Sequence, residues 1–182
     1  MIKKLKSRAG LTLTEMLVTL LILTMFSSAC LVGITTAFRA RQDNIKANDA
    51  DILASMVTQL ITDELRFSED AVASGDSITY RSHASGYNNV TLGLKDEGEV
   101  GKRLCMTVNA TSGGIEQMML NDAAYSTFPL CLDNLTFAQD DNGNICVNFD
   151  VCDGPGGRLI AQEEFYVKPL NTDSASPDPD IP

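Results

Sequence analysis

From Met16 to Phe38 the chain carries no charged residue. This run is about 23 residues long, and a helix needs about 20 apolar residues to cross a bilayer core, so it is long enough to span. Beyond Phe38 the apolar positions thin to a stripe. Ile45, Ile52, Leu53, Met56, Val57, Leu60, Ile61 and Leu65 recur at three- and four-residue spacing, with Lys46, Asn48, Asp49, Ser55, Gln59 and Asp63 among them. Such spacing gives a helix one apolar face. No proline occurs before Pro129, so nothing interrupts one helix from about Leu11 to Phe67, about 85 Å long at the α-helical rise. Residues 11–38 are expected in lipid or among like helices, and residues 39–67 as an amphipathic continuation. Gly33, near Ser27 and Ser28, is a flexible spot, a close-packing position between helices or simply a tolerated small residue.

After Phe67 the pattern changes to short β-prone runs separated by turn residues. Strands are expected at Ser77 to Arg81, Val90 to Leu94, Leu104 to Val108, Ile115 to Leu120, Leu132 to Ala138, Ile145 to Val151 and Leu159 to Val167. One long helix followed only by strands predicts an α+β fold, with the amphipathic half of the helix covering one face of an antiparallel sheet. The clearest hairpin joins Leu135-Thr136-Phe137 to Val147-Asn148-Phe149. Matching their apolar faces requires an odd loop, and Asp141-Asn142-Gly143 suits a three-residue turn with a left-handed glycine. Residues 68–170 thus form a β-rich domain. Residues 171–182, mostly Asp, Ser and Pro, are expected as a disordered tail.

Charge sharpens the division. The first ten residues carry Lys3, Lys4, Lys6 and Arg8 and no acid, so without them the net −10 of the chain becomes −14. Basic residues ahead of the apolar run place the N-terminus in the cytoplasm and the later residues outside, weakly opposed by Arg39 and Arg41. An acidic body without a basic cluster argues against direct DNA binding by this chain and fits solubility outside the cell.

Glu15 stands at the start of the apolar run, where an unpaired carboxylate costs about 2.5 to 3.5 kcal/mol on insertion scales. Something must compensate it. Gly10-Leu11-Thr12-Leu13-Thr14-Glu15, behind a short basic leader and ahead of an uninterrupted apolar helix, resembles the processing site of type IV prepilins and pseudopilins. The resemblance implies that a membrane-embedded prepilin peptidase cuts after Gly10, removing leader 1–10, and methylates the new amine on Leu11. It implies that Glu15 meets the N-terminal amine of a neighbouring pilin subunit, a pair that makes a buried carboxylate tolerable and sets assembly register. Leu11 replaces the commoner phenylalanine, and the helix lacks the proline that many major pilins carry. The ending, with Asn134-Leu135-Thr136-Phe137, an Asn-Gly turn and Glu164-Phe165-Tyr166-Val167, is similar in pattern to minor pseudopilins with large domains.

Two other readings of the N-terminus compete. Ser28-Ala29-Cys30 could end a lipoprotein signal peptide, with the lipid on Cys30, but Ser27 stands where a large aliphatic residue is usual. The apolar run also continues through Leu31, Val32, Ile34 and Phe38, well past the length of a cleaved apolar region. A plain unprocessed anchor explains the length and leaves Glu15 and Gly10 as coincidence.

Catalytic chemistry is not expected. His83 is the only histidine and lies among Ser82, Ser85 and Gly86, which reads as a solvated loop and argues against histidine catalysis or a multi-histidine metal site. Asp140-Asp141-Asn142-Gly143-Asn144 reads as a simple turn, with calcium the lesser alternative because the familiar loop's spacing and closing glutamate are missing. Neither a metal nor another cofactor is expected.

Cys105, Cys131, Cys146 and Cys152, an even number in the soluble part, hint at disulfides and an oxidising compartment. Cys146 and Cys152 share one strand face about 20 Å apart, too far to bond, so each should pair with Cys105 or Cys131, or not at all. By the hairpin register above, Cys131 falls on the opposite face from Cys152, and the connectivity stays open. Zinc held by four thiolates lacks the paired close spacing. Asn89, Asn109 and Asn134 begin Asn-x-Ser/Thr triplets, which are common by chance.

The expectation is a noncatalytic minor pilin or pseudopilin of a type IV pilus, competence or type II secretion filament. It starts as a single-pass protein of the cytoplasmic membrane and ends in an extracellular or periplasmic filament with other pilin subunits. The alternative is a membrane-anchored extracellular binding protein whose helix is only a tether.

Overall fold

A computed structural model describes residues 12–82, 89–108, 114–125 and 129–170. The expectations placed on the leader 1–10, Gly10, Leu11, His83, Asn109 and the tail 171–182 lie outside the described residues. The fold is α+β: one long helix, α1 (Leu13–Arg66), followed by an eight-stranded antiparallel sheet. The chain divides into two compact units between Asn44 and Ile45, within α1.

In the first unit, α1 has no buried residue. Its large apolar side chains from Met16 to Phe38 are 51 to 67% exposed.

In the second unit, α1 presents Ala50, Leu53, Ala54, Val57, Ile61 and Leu65, all fully buried. The expected stripe is turned: Ala50 and Ala54 face the core, while Ile45, Ile52 and Met56 are 40 to 46% exposed. Small residues there let the helix lie close to the sheet, with Leu53, Val57, Ile61 and Leu65, one turn apart, supplying the bulk. The helix ends where Ser68 Oγ donates to the Leu65 carbonyl at 2.7 Å and the Leu170 N–H reaches the Arg66 carbonyl at 2.9 Å, satisfying acceptors that the last turn leaves open.

The strands are β1 (Ser68–Ala73), β2 (Ser77–Ser82), β3 (Val90–Asp96), β4 (Lys102–Val108), β5 (Ile115–Met118), β6 (Leu130–Gln139), β7 (Ile145–Asp153) and β8 (Leu159–Val167). Their order is β1-β2-β3-β4-β6-β7-β8, with β5 also paired to β4. Seven match expected strands. The eighth, β1, is Ser-Glu-Asp-Ala-Val-Ala, whose composition carries no strand signal. It forms by pairing with β2, through a bulge where Asp70 takes a φ of 51°.

The inner face alternates as a half-buried sheet should: Ile78 and Tyr80 on β2, Val90 and Leu92 on β3, Leu104 on β4, then Ile145, Val147, Phe149 and Val151 on β7. Buried Tyr80 donates its hydroxyl to Glu64 of α1 at 3.2 Å. Burial, with the Glu64 carboxylate beside it, pushes the phenol well above its usual value, so it stays a donor.

The β6–β7 hairpin decides the outer face. At its tip the Asp140 N–H donates to the Asn144 carbonyl at 2.9 Å, enclosing Asp141-Asn142-Gly143, and Gly143 has a φ of 78°. This is the expected three-residue turn. Phe137 sits opposite Val147, also as expected. Between Asp133 and Thr136 the register shifts by one residue, at Asn134, whose φ is 49°. Asparagine tolerates this left-handed conformation, and its Nδ2 donates to Asp150 Oδ2 at 2.6 Å, fixing the bulge. The extra residue reverses the expected cysteine parity: Cys131 lies directly opposite Cys152, on the same outer face.

Candidate functional site

The first turn of α1 is closed by its own residues. The Thr12 N–H and hydroxyl both donate to Glu15 Oε2 at 2.9 Å, and the Glu15 N–H donates to Thr12 Oγ1 at 3.3 Å. This reciprocal arrangement is a capping box, with Thr12 as the cap and Glu15 three residues on. It gives the carboxylate two donors within its own chain and places it beside the helix N-terminus, where negative charge is favoured. Assigning Glu15 only to a neighbour's amine overlooked Thr12. Its signal was legible, since Thr12-Leu13-Thr14-Glu15 ahead of an apolar run is a capping-box pattern.

Five of the six hydroxyls along the apolar segment turn inward to the helix backbone. Thr19 donates to Met16, Thr24 to Leu21, Ser28 to Met25, and both Thr35 and Thr36 to Val32, each to a carbonyl at 2.8 to 3.0 Å. A helix that uses most of its side-chain donors internally presents little polar surface to lipid or to neighbouring helices. Cys30 is exposed on this segment and forms no disulfide. α1 is long and apolar enough to cross a membrane, with a mean hydropathy of 2.3 over its most apolar window.

Residues 5–31 match the family model for the prokaryotic N-terminal methylation motif. This is a type IV pilin-like N-terminus. The match takes in Gly10, Leu11 and Glu15 and ends one residue beyond Cys30. No curated protein and no solved structure matches the chain. The pilin-like segment therefore rests on the motif, the long helix it overlaps and the α+β fold.

The other residues singled out from the sequence lie in the sheet and do not form one centre. All four domain cysteines sit on the outer face, unbonded to one another. Cys105 on β4 is opposite Gly93 of β3 and Met118 of β5. Cys146 on β7 is opposite Ala138 and Tyr166, and its thiol reaches Glu164 Oε1 at 3.8 Å. Only Cys131 and Cys152 meet. Burial pushes the thiols of Cys105, Cys131 and Cys152 above the usual cysteine value.

Near Cys131 the outer face carries a Lys102–Asp133 ion pair at 2.6 Å, and the Lys102 hydrogen bond holds the Asp133 carboxyl below the usual aspartate value. Arg103 is bound by Asp122 and by Glu97 at 3.4 Å and lies 4.7 Å from the Tyr125 ring centre, a cation–π contact. The Tyr125 hydroxyl accepts the Leu104 N–H at 3.1 Å.

In the acidic loop, Asp140 serves the turn. Its carboxylate accepts the Asn142 and Asn144 N–H groups at 2.9 and 2.7 Å and the Asn144 side chain at 2.7 Å. The Asn144 side chain, followed by these backbone donors, lowers the Asp140 pKa from its usual value.

Proposed function

We propose that this chain is a noncatalytic minor pilin or pseudopilin, processed after Gly10 and assembled through α1 into a type IV pilus, competence or type II secretion filament. The observation that carries the reading is the methylation motif over residues 5–31, which takes in the start of a helix whose apolar side chains from Met16 to Phe38 are all exposed. Such a surface requires lipid or other helices around it.

In this reading prepilin peptidase cuts after Gly10 and the amine of Leu11 is methylated. The four positive charges of the leader leave with the cleaved peptide, easing extraction of the helix into a filament. Glu15, held by Thr12 in the free subunit, exchanges at least one of those bonds for the amine of a neighbouring subunit during assembly. Ile45, Ile52 and Met56, exposed on the domain part of α1, continue the apolar surface available to neighbours. The acidic sheet domain faces outward.

The deciding experiment is mass spectrometry of the mature N-terminus. An N-methylated Leu11 is expected; a lipid on Cys30 or an intact Met1 would overturn the reading. Glu15→Ala separates filament subunit from tether, with loss of filament incorporation expected and unchanged incorporation counting against assembly.

A further inference from the structure

We infer that Cys131 and Cys152 form a cross-strand disulfide joining β6 to β7, and that Cys105 and Cys146 remain thiols. The inference deepens the reading above and rests on its placement of the domain outside the cytoplasm.

Directly opposed residues of antiparallel strands have Cα atoms about 4.5 or 5.5 Å apart, according to the kind of pair, and both values lie within the range that a disulfide spans. Cys131 and Cys152 are such a pair. The Cys131 thiol already leans across the gap, with Sγ 3.9 Å from the Cys152 carbonyl oxygen. The bulge at Asn134 creates this meeting, and the Asn134–Asp150 hydrogen bond holds it in place. Cys105 and Cys146 have no cysteine opposite them on either neighbouring strand.

The surroundings determine when the bond forms. Cys131 is 2% and Cys152 8% exposed. Gly101, with a φ of 85°, passes so close that a Cβ on it would lie 2.7 Å from the Cys131 Cβ and 3.2 Å from both its Sγ and the Cγ of Pro155. A thiol covered this way is poorly reached by an external disulfide, so exchange takes place before the Gly98–Gly101 turn closes over it.

In the first step one thiolate attacks a disulfide of an oxidised thiol oxidoreductase, giving a mixed disulfide and releasing one thiol of the oxidant. In the second, the other cysteine displaces the remaining thiol. The two cysteines lose two electrons and two protons, and the oxidant becomes a dithiol. Once the domain closes, the bond is shielded from reductants.

The test is peptide mapping of the full-length protein, extracted from cells under acid with its free thiols alkylated. A linked pair of peptides carrying Cys131 and Cys152, two hydrogen masses lighter than their sum, with Cys105 and Cys146 alkylated, is expected. Alkylation of both Cys131 and Cys152, or a link from either to another cysteine, overturns the inference. If both are alkylated, refolding the purified full-length protein from urea with oxidised glutathione identifies the cause. Closure of the same pair there puts the fault in the outward placement of the domain, and failure to close puts it in the geometry. As a second readout, dithiothreitol should lower the urea midpoint of the unmodified protein and leave that of the doubly substituted Cys131→Ser, Cys152→Ser protein unchanged. An equal dithiothreitol effect on both also overturns the inference.

Discussion

The two parts of α1 use similar apolar residues to opposite ends. Up to Asn44 none of the described side chains is buried, whereas from Ile45 onward Leu53, Val57, Ile61 and Leu65 are completely covered by the sheet domain. The difference lies in the polar residues between them. A helix apolar all round has no preferred side and suits lipid or a helix bundle; a helix with charges along one face can bury only the other. The first part is therefore an interface awaiting surroundings, and the second already belongs to a folded core.

The largest effect should come from Leu53→Ala, which removes a fully buried side chain and should cost the domain about 2–5 kcal/mol in urea unfolding. Leu23→Ala, at a 58% exposed position of the first part, should change the same transition by less than about 0.5 kcal/mol. Equal losses would break the comparison.

A second prediction concerns the two faces within the domain part. Charged substitutions of Ile45, Ile52 and Met56 together should abolish filament incorporation, read by recovery in sheared filaments, while the urea midpoint of the domain stays put. A collapse of that midpoint would place these side chains in the core instead.

Gly101→Ala comes next. It adds a Cβ into Cys131 at a left-handed position and should lower domain stability by about 1–3 kcal/mol in the same urea assay. Thr12→Ala should weaken the first turn of α1 by about 1 kcal/mol, seen as faster amide exchange confined to that turn, with the domain unaffected.

The smallest effect is a pH dependence. Lys102 lowers the folded-state pKa of Asp133, so the pair's stabilisation is fully present above the unfolded aspartate value and is lost as pH falls through the lower folded one. Both side chains are a third or more exposed, so screening limits it to about 0.2–1 kcal/mol, and Asp133→Asn should flatten the acid limb of urea stability by that amount.

Much of this was legible in the residue pattern. The helix boundaries came within two residues at the start and one at the end, because an uninterrupted run and a periodic stripe without proline leave little choice. Seven strands followed from alternation, and the Asp141-Asn142-Gly143 turn from its glycine. β1 was not legible, since an acidic strand owes its pairing to β2 rather than to its own residues. The rotation of the helix face also escaped, because Ala50 and Ala54 carry too little hydrophobicity to compete with Ile52 and Met56 in a pattern, yet close packing favours them.

The pilin-like N-terminus was determined by the sequence alone. Gly10, Glu15 and the apolar run are local features, and their chemistry depends on order and spacing along one segment. The cysteine pairing was decided only by the tertiary structure. Strand parity has a period of two, so the single extra residue at Asn134 moves Cys131 to the face of Cys152 and reverses a reading otherwise correct at the hairpin tip. The bulge is held by an asparagine reaching Asp150 on the neighbouring strand, a contact that exists only once the sheet has formed.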